Sequence, residues 1–414
     1  MAARRAADGT GTARPVRATR SPDPGEGMLT HRALGRALLA RQHLLERTPS
    51  TAADLVAQLV GLQAQAPWAP YTGLWTRLRG FAHADLADRL TDRTVVRIAA
   101  MRGTVHALVA DDALVLPGMA EPLLRGALRT ARPYAADLRD VDIDALAQAA
   151  RAIVEAEPTG TVTLGRRLAE RWPDVAPASL AYAARGTLQL VQVPPRAVWG
   201  RSGATTWTTT RAWLGRDPVD LCDPDAHAAA VEGVVLRYLA AFGPASAADA
   251  QTWSGLTGLG PVLERLRGRL VTFRGPPAPG ARAGRELFDL PRAPRPDPDA
   301  PAPVRLLPEY DNVLLGHADR SRVVGEAERR RLWRSNGAVP GALLVDGTVA
   351  GSWSVIRSGR SATLAMEPFR TIDRAARREA TQEAERLVRF VADDASDHAV
   401  RWADDDPPGT TVVP

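Results

Sequence analysis

The sequence predicts an α+β protein, mainly α, on three observations. Apolar residues recur three and four apart in HRALGRALLARQHLLER (31–47), IDALAQAARAIVEAE (143–157) and AHAAAVEGVVLRYLAAF (226–242), the spacing of amphipathic helices. Each helical stretch passes into short runs with strand character, such as TVVRIAAMRGTVHALVA (94–110). Beyond a proline-rich joint, PRAPRPDPDAPAP (291–303), long strands outnumber helices.

The elements follow in order. Thr30 caps a first helix whose Leu34, Leu38, Leu39 and Leu45 share a face, and Ser50 or Thr51 with Asp54 starts a second, AADLVAQLVGL. The turn APWAP leads to short helices YTGLWTRL and ADLADRL. Two strands joined near Arg102-Gly103 then close the unit. A second stretch repeats the order with IDALAQAARAIVEAE, LGRRLAERW and ASLAYAARG, then LQLVQV and TTWTTT around a long tip, PPRAVWGRSGA. A third gives AHAAAVEGVVLRYLAAF, SAADAQTWSGL and GPVLERLRGR before LVTFRG and RELFDL. Helices closed by a β-hairpin describe a winged helix-turn-helix unit. The final part holds VRLLP, a hairpin turning at Asp346-Gly347, ATLAMEPF, the helix IDRAARREATQEAERLVRFVADD and a last strand, HAVRWAD. The expected organisation is a disordered tail over 1–27, winged-helix units over 28–140, 141–220 and 221–298, and an α+β cap over 299–414. Met28 offers an alternative translation start.

Composition narrows the chemistry. The chain has 414 residues, 45% hydrophobic and 24% charged, and no apolar run approaches the roughly 18 residues of a bilayer span. With no secretory signal in the tail, a cytoplasmic protein without membrane contact is expected. The one cysteine, Cys222, excludes a disulfide framework and multi-cysteine metal sites, and the seven histidines show no metal-ligand spacing. No phosphate-binding loop is present, so neither metal nor nucleotide cofactor is expected. All 53 basic residues are arginine; without lysine there is no side-chain amine for Schiff-base chemistry. Net charge is +6, which permits a polyanionic partner without requiring one.

Gln63-Ala64-Gln65 is the candidate catalytic motif. Period-two spacing sends both amides to one side of an extended segment, where each donates and accepts and the pair can hold and orient one water. Two glutamines satisfying turn backbone is the competing reading. Candidate DNA-binding residues surround the motif in sequence or lie on hairpins: Trp68 between two prolines, where it can stack on a base; Arg97, Arg102 and His106 on or beside the first hairpin; and Trp199 and Arg201 on the tip of the second. His106, between apolar neighbours, also fits a core histidine. Asp311, Asn312 and Asp319 are expected to make structural hydrogen bonds.

The runs HRALGRALLARQHLLER…LVGLQAQAPWAPYTGLWTRL and MRGTVHALVADDALVL, with AFGPASAADAQTWSGL, LLPEYDNVLLGHADR and VDGTVAGSWSV further on, resemble the winged-helix DNA glycosylases of the AlkZ/YcaQ-like family from about Met28 onward. The resemblance implies a monomer of tandem winged-helix units curved around a DNA channel. It implies hydrolysis of the N-glycosidic bond of N7-alkylated guanine in double-stranded DNA, including guanines in interstrand crosslinks. Its catalytic signature is Q-x-D in one branch and Q-x-Q in the branch that resists azinomycin-type genotoxins; Gln63 and Gln65 match the second. A monofunctional enzyme without lyase activity, serving base excision repair and self-resistance near the nucleoid, is the resulting expectation. A winged-helix transcription regulator and a drug-sequestering resistance protein are the alternatives.

Overall fold

The computed structural model describes residues 27–277 and 283–405; the tail expected over 1–27 lies, Gly27 apart, outside them. In the first unit the helix His31–Arg41 begins at Thr30, whose side chain accepts from the Ala33 amide at 3.1 Å. It ends four residues before the last apolar position, Leu45. His43 adopts a positive φ of 54°, and the Leu44 and Leu45 amides both turn back to the Leu39 carbonyl. The helix Ala52–Gln58, capped by Thr51, leads to strand β1 (Leu62–Gln63). The helices Ala69–Trp75 and His83–Thr91 follow, then β2 (Val95–Ala99) and β3 (Val105–Val109). A helix over Leu116–Ala127, absent from the sequence reading, joins this unit to the next.

The second unit has helices Ile143–Ala156, Thr161–Ala169 and Pro177–Thr187 with β4 (Thr159–Gly160), β5 (Leu190–Gln192) and β6 (Thr206–Thr209). The third has helices Pro224–Phe242, Ala247–Ser254 and Leu259–Leu266 and the hairpin of β7 (Val271–Arg274) and β8 (Glu286–Asp289). The order of helices followed by a hairpin is thus present three times. The first two hairpins are not independent, however. β2 pairs with β5 at Arg97–Gln192 and Ile98–Val191, which fuses them into one six-stranded sheet ordered β1-β3-β2-β5-β6-β4.

In the C-terminal part, β9 (Arg305–Leu307), β10 (Gly341–Val345), β11 (Thr348–Ser358), β12 (Ser361–Pro368) and β13 (Asp397–Trp402) form a second sheet, ordered β13-β12-β11-β10-β9. The hairpin between β10 and β11 turns at Asp346-Gly347, both at positive φ, as an Asp-Gly pair favours. β13 runs parallel to β12, which requires the crossover that the helix Arg374–Val391 supplies.

Three apolar cores stabilise these parts. The largest joins the first unit to the third, where Leu38, Leu39, Tyr238, Phe242 and Trp253 are almost fully buried. A second lies between the C-terminal sheet and the helix Arg374–Val391, and a third fills the second unit around Leu146, Leu164 and Leu180. Two buried ion pairs tie the first helical unit to distant chain. Arg41 donates to both carboxylate oxygens of Asp289, at 2.7 and 2.8 Å, and Arg77 donates to Asp311 at 2.9 Å.

Candidate active site

The Gln63-Ala64-Gln65 motif owes its position to a sharp turn. After the helix Ala52–Gln58, Val60 and Gly61 take φ of 56° and 93°. A side chain at Gly61 would place Cβ 2.4 Å from Leu108 Cδ2, so only glycine lets the chain pass against β3. Gln63 then pairs with His106 across β3, and the Ala64 amide donates to the Val105 carbonyl at 2.7 Å. Ala64 is buried in the core, so the two glutamines occupy the opposite face.

Three basic residues expected to meet DNA instead surround this strand from within the protein. Arg102 sits at the hairpin turn, where it and Gly103 have φ of 56° and 68°. Its Nη2 donates to Gln63 Oε1 at 2.7 Å and to Asn312 Oδ1 at 2.9 Å, and its Nη1 donates to the Trp253 carbonyl. Burial, with a smaller contribution from Arg320, lowers its pKa to about 10, so it remains a cation at neutral pH. Arg97 is 3% exposed; it donates to the Ala64 carbonyl and to Gln192 Oε1, each at 2.8 Å. His106 is wholly buried, with Nδ1 directed at the Thr104 carbonyl at 2.9 Å, and desolvation holds its pKa down to about 3. A neutral ring donating from Nδ1 fits that geometry. Arg97 and His106, expected beside DNA, are thus buried within the fold, whereas Arg102 is half-buried next to Gln63. β2 and β3 are interior strands of the sheet; Arg102 and Arg97 hold the motif at Gln63 Oε1 and the Ala64 carbonyl, while Arg97 Nε and His106 Nε2 are buried without a partner.

Gln63 is nearly buried, whereas Gln65 is exposed, its Oε1 3.4 Å from the Val105 amide that donates to it. Gln65 stands at the wall of a cleft of about 1190 Å³ between the first unit, the second hairpin's tip and the C-terminal sheet. Trp68, Trp199, Glu309, Arg334 and Trp353 line it. Trp68 is 44% exposed and meets Trp199 edge-on at 5.4 Å. Trp199 is stacked on the His83 ring at 3.9 Å and donates from Nε1 to Asp393 at 3.1 Å. The tip that carries it is thus packed rather than free: Ala197 and Val198 are buried, and the Tyr71 hydroxyl donates to the Ala197 carbonyl at 2.9 Å. Arg201 is exposed. Among the described residues there is no group of His, Cys, Asp and Glu suited to a metal ion, and no helix long and apolar enough to cross a membrane.

A family model described as DNA glycosylase AlkZ-like matches residues 56–390. The chain belongs to the AlkZ-like DNA glycosylase family. A relative named interstrand DNA cross-link repair glycosylase, from Streptomyces sahachiroi, is 25% identical over 375 residues, covering 85% of this chain and 94% of the relative. The solved structure of the Streptomyces sahachiroi DNA glycosylase AlkZ superposes with a TM-score of 0.69 at 21% identity, covering 91% of this chain and all of that one. This AlkZ-like fold brings to the cleft residues that no local signal marked. Glu309 and Tyr310 arrive from a segment some 245 positions beyond the glutamines. Asp311 and Asp319 make the structural bonds expected of them, Asp311 to Arg77 and Asp319 to the Ser321 amide at 3.1 Å.

Proposed function

We propose that this AlkZ-like protein hydrolyses the N-glycosidic bond of N7-alkylated guanine in double-stranded DNA, with Gln63 and Gln65 positioning the attacking water. The observation that carries this reading is the asymmetric setting of the two amides. Gln63 is fixed by the Arg102 bond to its oxygen, and Gln65 stands at the cleft wall two residues on. A fixed amide beside a water costs little reorganisation when the reaction occurs.

The chemistry suits neutral side chains. Alkylation at N7 makes the base cationic, so breaking the bond to the sugar returns the electron pair to a base that departs neutral. No acid is required for the leaving group, unlike an unmodified purine. The water oxygen attacks an oxocarbenium-like sugar carbon, and one proton must leave that water. Because the chain has no lysine, no side-chain amine is available to cleave the strand afterwards. An intact abasic site is the product, without lyase activity.

Crosslinked guanines are the favoured substrate, since the relative covering 94% of its own length in the alignment carries interstrand cross-link repair in its name. The wide, open cleft supports bulky lesions, and the exposed Trp68 supplies a face for a base. The protein would act as a monomer on duplex DNA in the cytoplasm, near the nucleoid, in base excision repair and genotoxin self-resistance. Arg201 and Arg334 are suited to phosphate contacts.

Single-turnover base release from duplexes carrying N7-methylguanine or an interstrand crosslink tests this proposal. Release by the wild-type protein that disappears in Gln63→Ala and Gln65→Ala supports it. Binding to lesion DNA without release in any form would leave a DNA-binding protein and overturn it.

A further inference from the structure

The segment 308–312 is anchored to the first unit at more than one point. Pro308 packs beside Gly73, whose position also borders Leu62. Asn312 shares the Arg102 guanidinium with Gln63. Between these anchors Asp311 is fixed by Arg77 at 2.9 Å and caps the helix Asn312–Leu315. Tyr310 takes a left-handed φ of 58°, a conformation that a bulky residue holds only when its surroundings impose it. The strained turn leaves Glu309 on the wall of the same cleft as Gln65.

The other carboxylates of the cleft are spoken for, and Glu309 is not. Asp393 accepts from Trp199, and Asp394 accepts from both Nη atoms of Arg357. Among the described residues that line the cleft, Glu309 is the one carboxylate with neither a hydrogen bond nor an ion pair. An unpaired negative charge works against binding a polyanion, so its presence on that wall calls for a return in chemistry. Glu309 is exposed at the cleft mouth, and the partial loss of water from its carboxyl beside the walls raises its pKa above the ordinary glutamate value, which makes it a stronger base.

We propose that Glu309 is a third catalytic residue, the general base that accepts the proton from the attacking water. The inference rests on the hydrolytic reading above. Water oxygen forms the new bond to the sugar carbon, its proton passes to the Glu309 carboxylate, and the carbon–nitrogen bond breaks with its electron pair going to the cationic base. Glu309 then releases the proton to solvent. The two glutamines orient the water, and Glu309 supplies the proton acceptor that neutral amides lack.

Glu309→Gln and Glu309→Asp, measured beside wild type and Gln63→Ala, test the assignment through single-turnover rates on N7-methylguanine duplexes from acid to neutral pH, with DNA affinity and thermal melting. The expected result is a rate about a hundredfold lower in Glu309→Gln. Its DNA affinity should be equal or tighter, and the acid-side fall of the wild-type profile should be lost. Glu309→Asp should keep that acid-side fall at an intermediate rate. A Glu309→Gln protein with the wild-type rate and profile overturns the proposal while leaving the glycosylase reading intact. A rate lost only through weaker DNA binding overturns it as well. A wild-type protein that releases no base, indistinguishable from Gln63→Ala, removes the hydrolytic reading and Glu309's role with it.

Discussion

Arg102 Nη2 lies 2.7 Å from the side-chain oxygen of Gln63, and through that bond a residue at a hairpin turn fixes the orientation of an amide 39 positions earlier. With its oxygen held by a cation, Gln63 presents its N–H groups in one direction only. The same guanidinium serves Asn312 and the Trp253 carbonyl, so it joins the first unit, the third unit and the C-terminal part at one point.

Replacing Arg102 therefore affects folding and chemistry together. Arg102→Met leaves three acceptors without a donor and should cost roughly 3 kcal/mol of stability. Base release should fall more than tenfold even under conditions where the variant is fully folded. Arg102→Lys retains charge but not the planar fork, and should recover stability better than rate. Denaturant melts and single-turnover assays on the same preparations separate the two effects.

The two glutamines should part company in stability. Gln65→Ala removes an exposed side chain with one long hydrogen bond, and its unfolding free energy should stay within about 0.5 kcal/mol of wild type. Gln63→Ala removes the acceptor from a buried guanidinium and should cost roughly 1–3 kcal/mol. Equal melts for the two variants would contradict the assigned burial.

Much of the fold was legible because its signals are local. The Thr30 and Thr51 caps, the Asp346-Gly347 turn and the apolar spacing of Arg374–Val391 each act within a few residues of chain. The extended setting of Gln63 was legible for the same reason, since the strand Leu62–Gln63 follows directly on a helix end and a glycine turn. What escaped was decided by distant partners. Arg97 and Arg102 on a hairpin carry the signature of phosphate contacts, and only the pairing of β2 with β5 and the arrival of Asn312 and Trp253 turn them inward. Likewise nothing in PEYDN distinguishes Asp311, bound to Arg77, from Glu309, which has no partner.

The Arg41–Asp289 pair offers a test of how the units are joined. Asp289 is fully buried and accepts from Arg41 and Arg295 as well as from the Leu290 amide. Asp289→Ala strands two guanidinium groups, one of them buried, and should destabilise by roughly 3–5 kcal/mol. Loss of helical signal at a lower denaturant concentration is the expected observation. Breaking the surface pair of Arg329 and Glu326 should change the midpoint little.

Trp68 and Trp199 meet in the cleft but differ in what holds them. Trp68 is exposed, and Trp68→Ala should weaken lesion-DNA binding by about 1–3 kcal/mol with little change in melting. Trp199 is stacked on His83 and bonded to Asp393, so Trp199→Ala should lower both affinity and stability. Fluorescence titration with duplex DNA beside thermal melts distinguishes them, and a Trp68 variant with wild-type affinity would remove the stacking role.

Two buried histidines fix the sign of the acid response. His106 and His317 are both wholly desolvated, and both have pKa values lowered to about 3, whereas an unfolded histidine titrates near 6.5. Above pH 6.5 both states are neutral and neither ring affects stability. Below it the unfolded chain takes up protons that the native protein refuses, so stability falls toward pH 3 at about 1.4 kcal/mol per pH unit for each ring. The cleft residue Glu309, with its raised pKa, acts weakly in the opposite direction because it is exposed. His106→Asn keeps a donor for the Thr104 carbonyl and removes one titrating ring. Its unfolding free energy, followed by denaturant titration between pH 7 and pH 5, should therefore decline less steeply than that of wild type by one proton's worth. Parallel slopes for the two proteins would mean that His106 is protonated in the native state, which its contact with the charged Arg102 opposes.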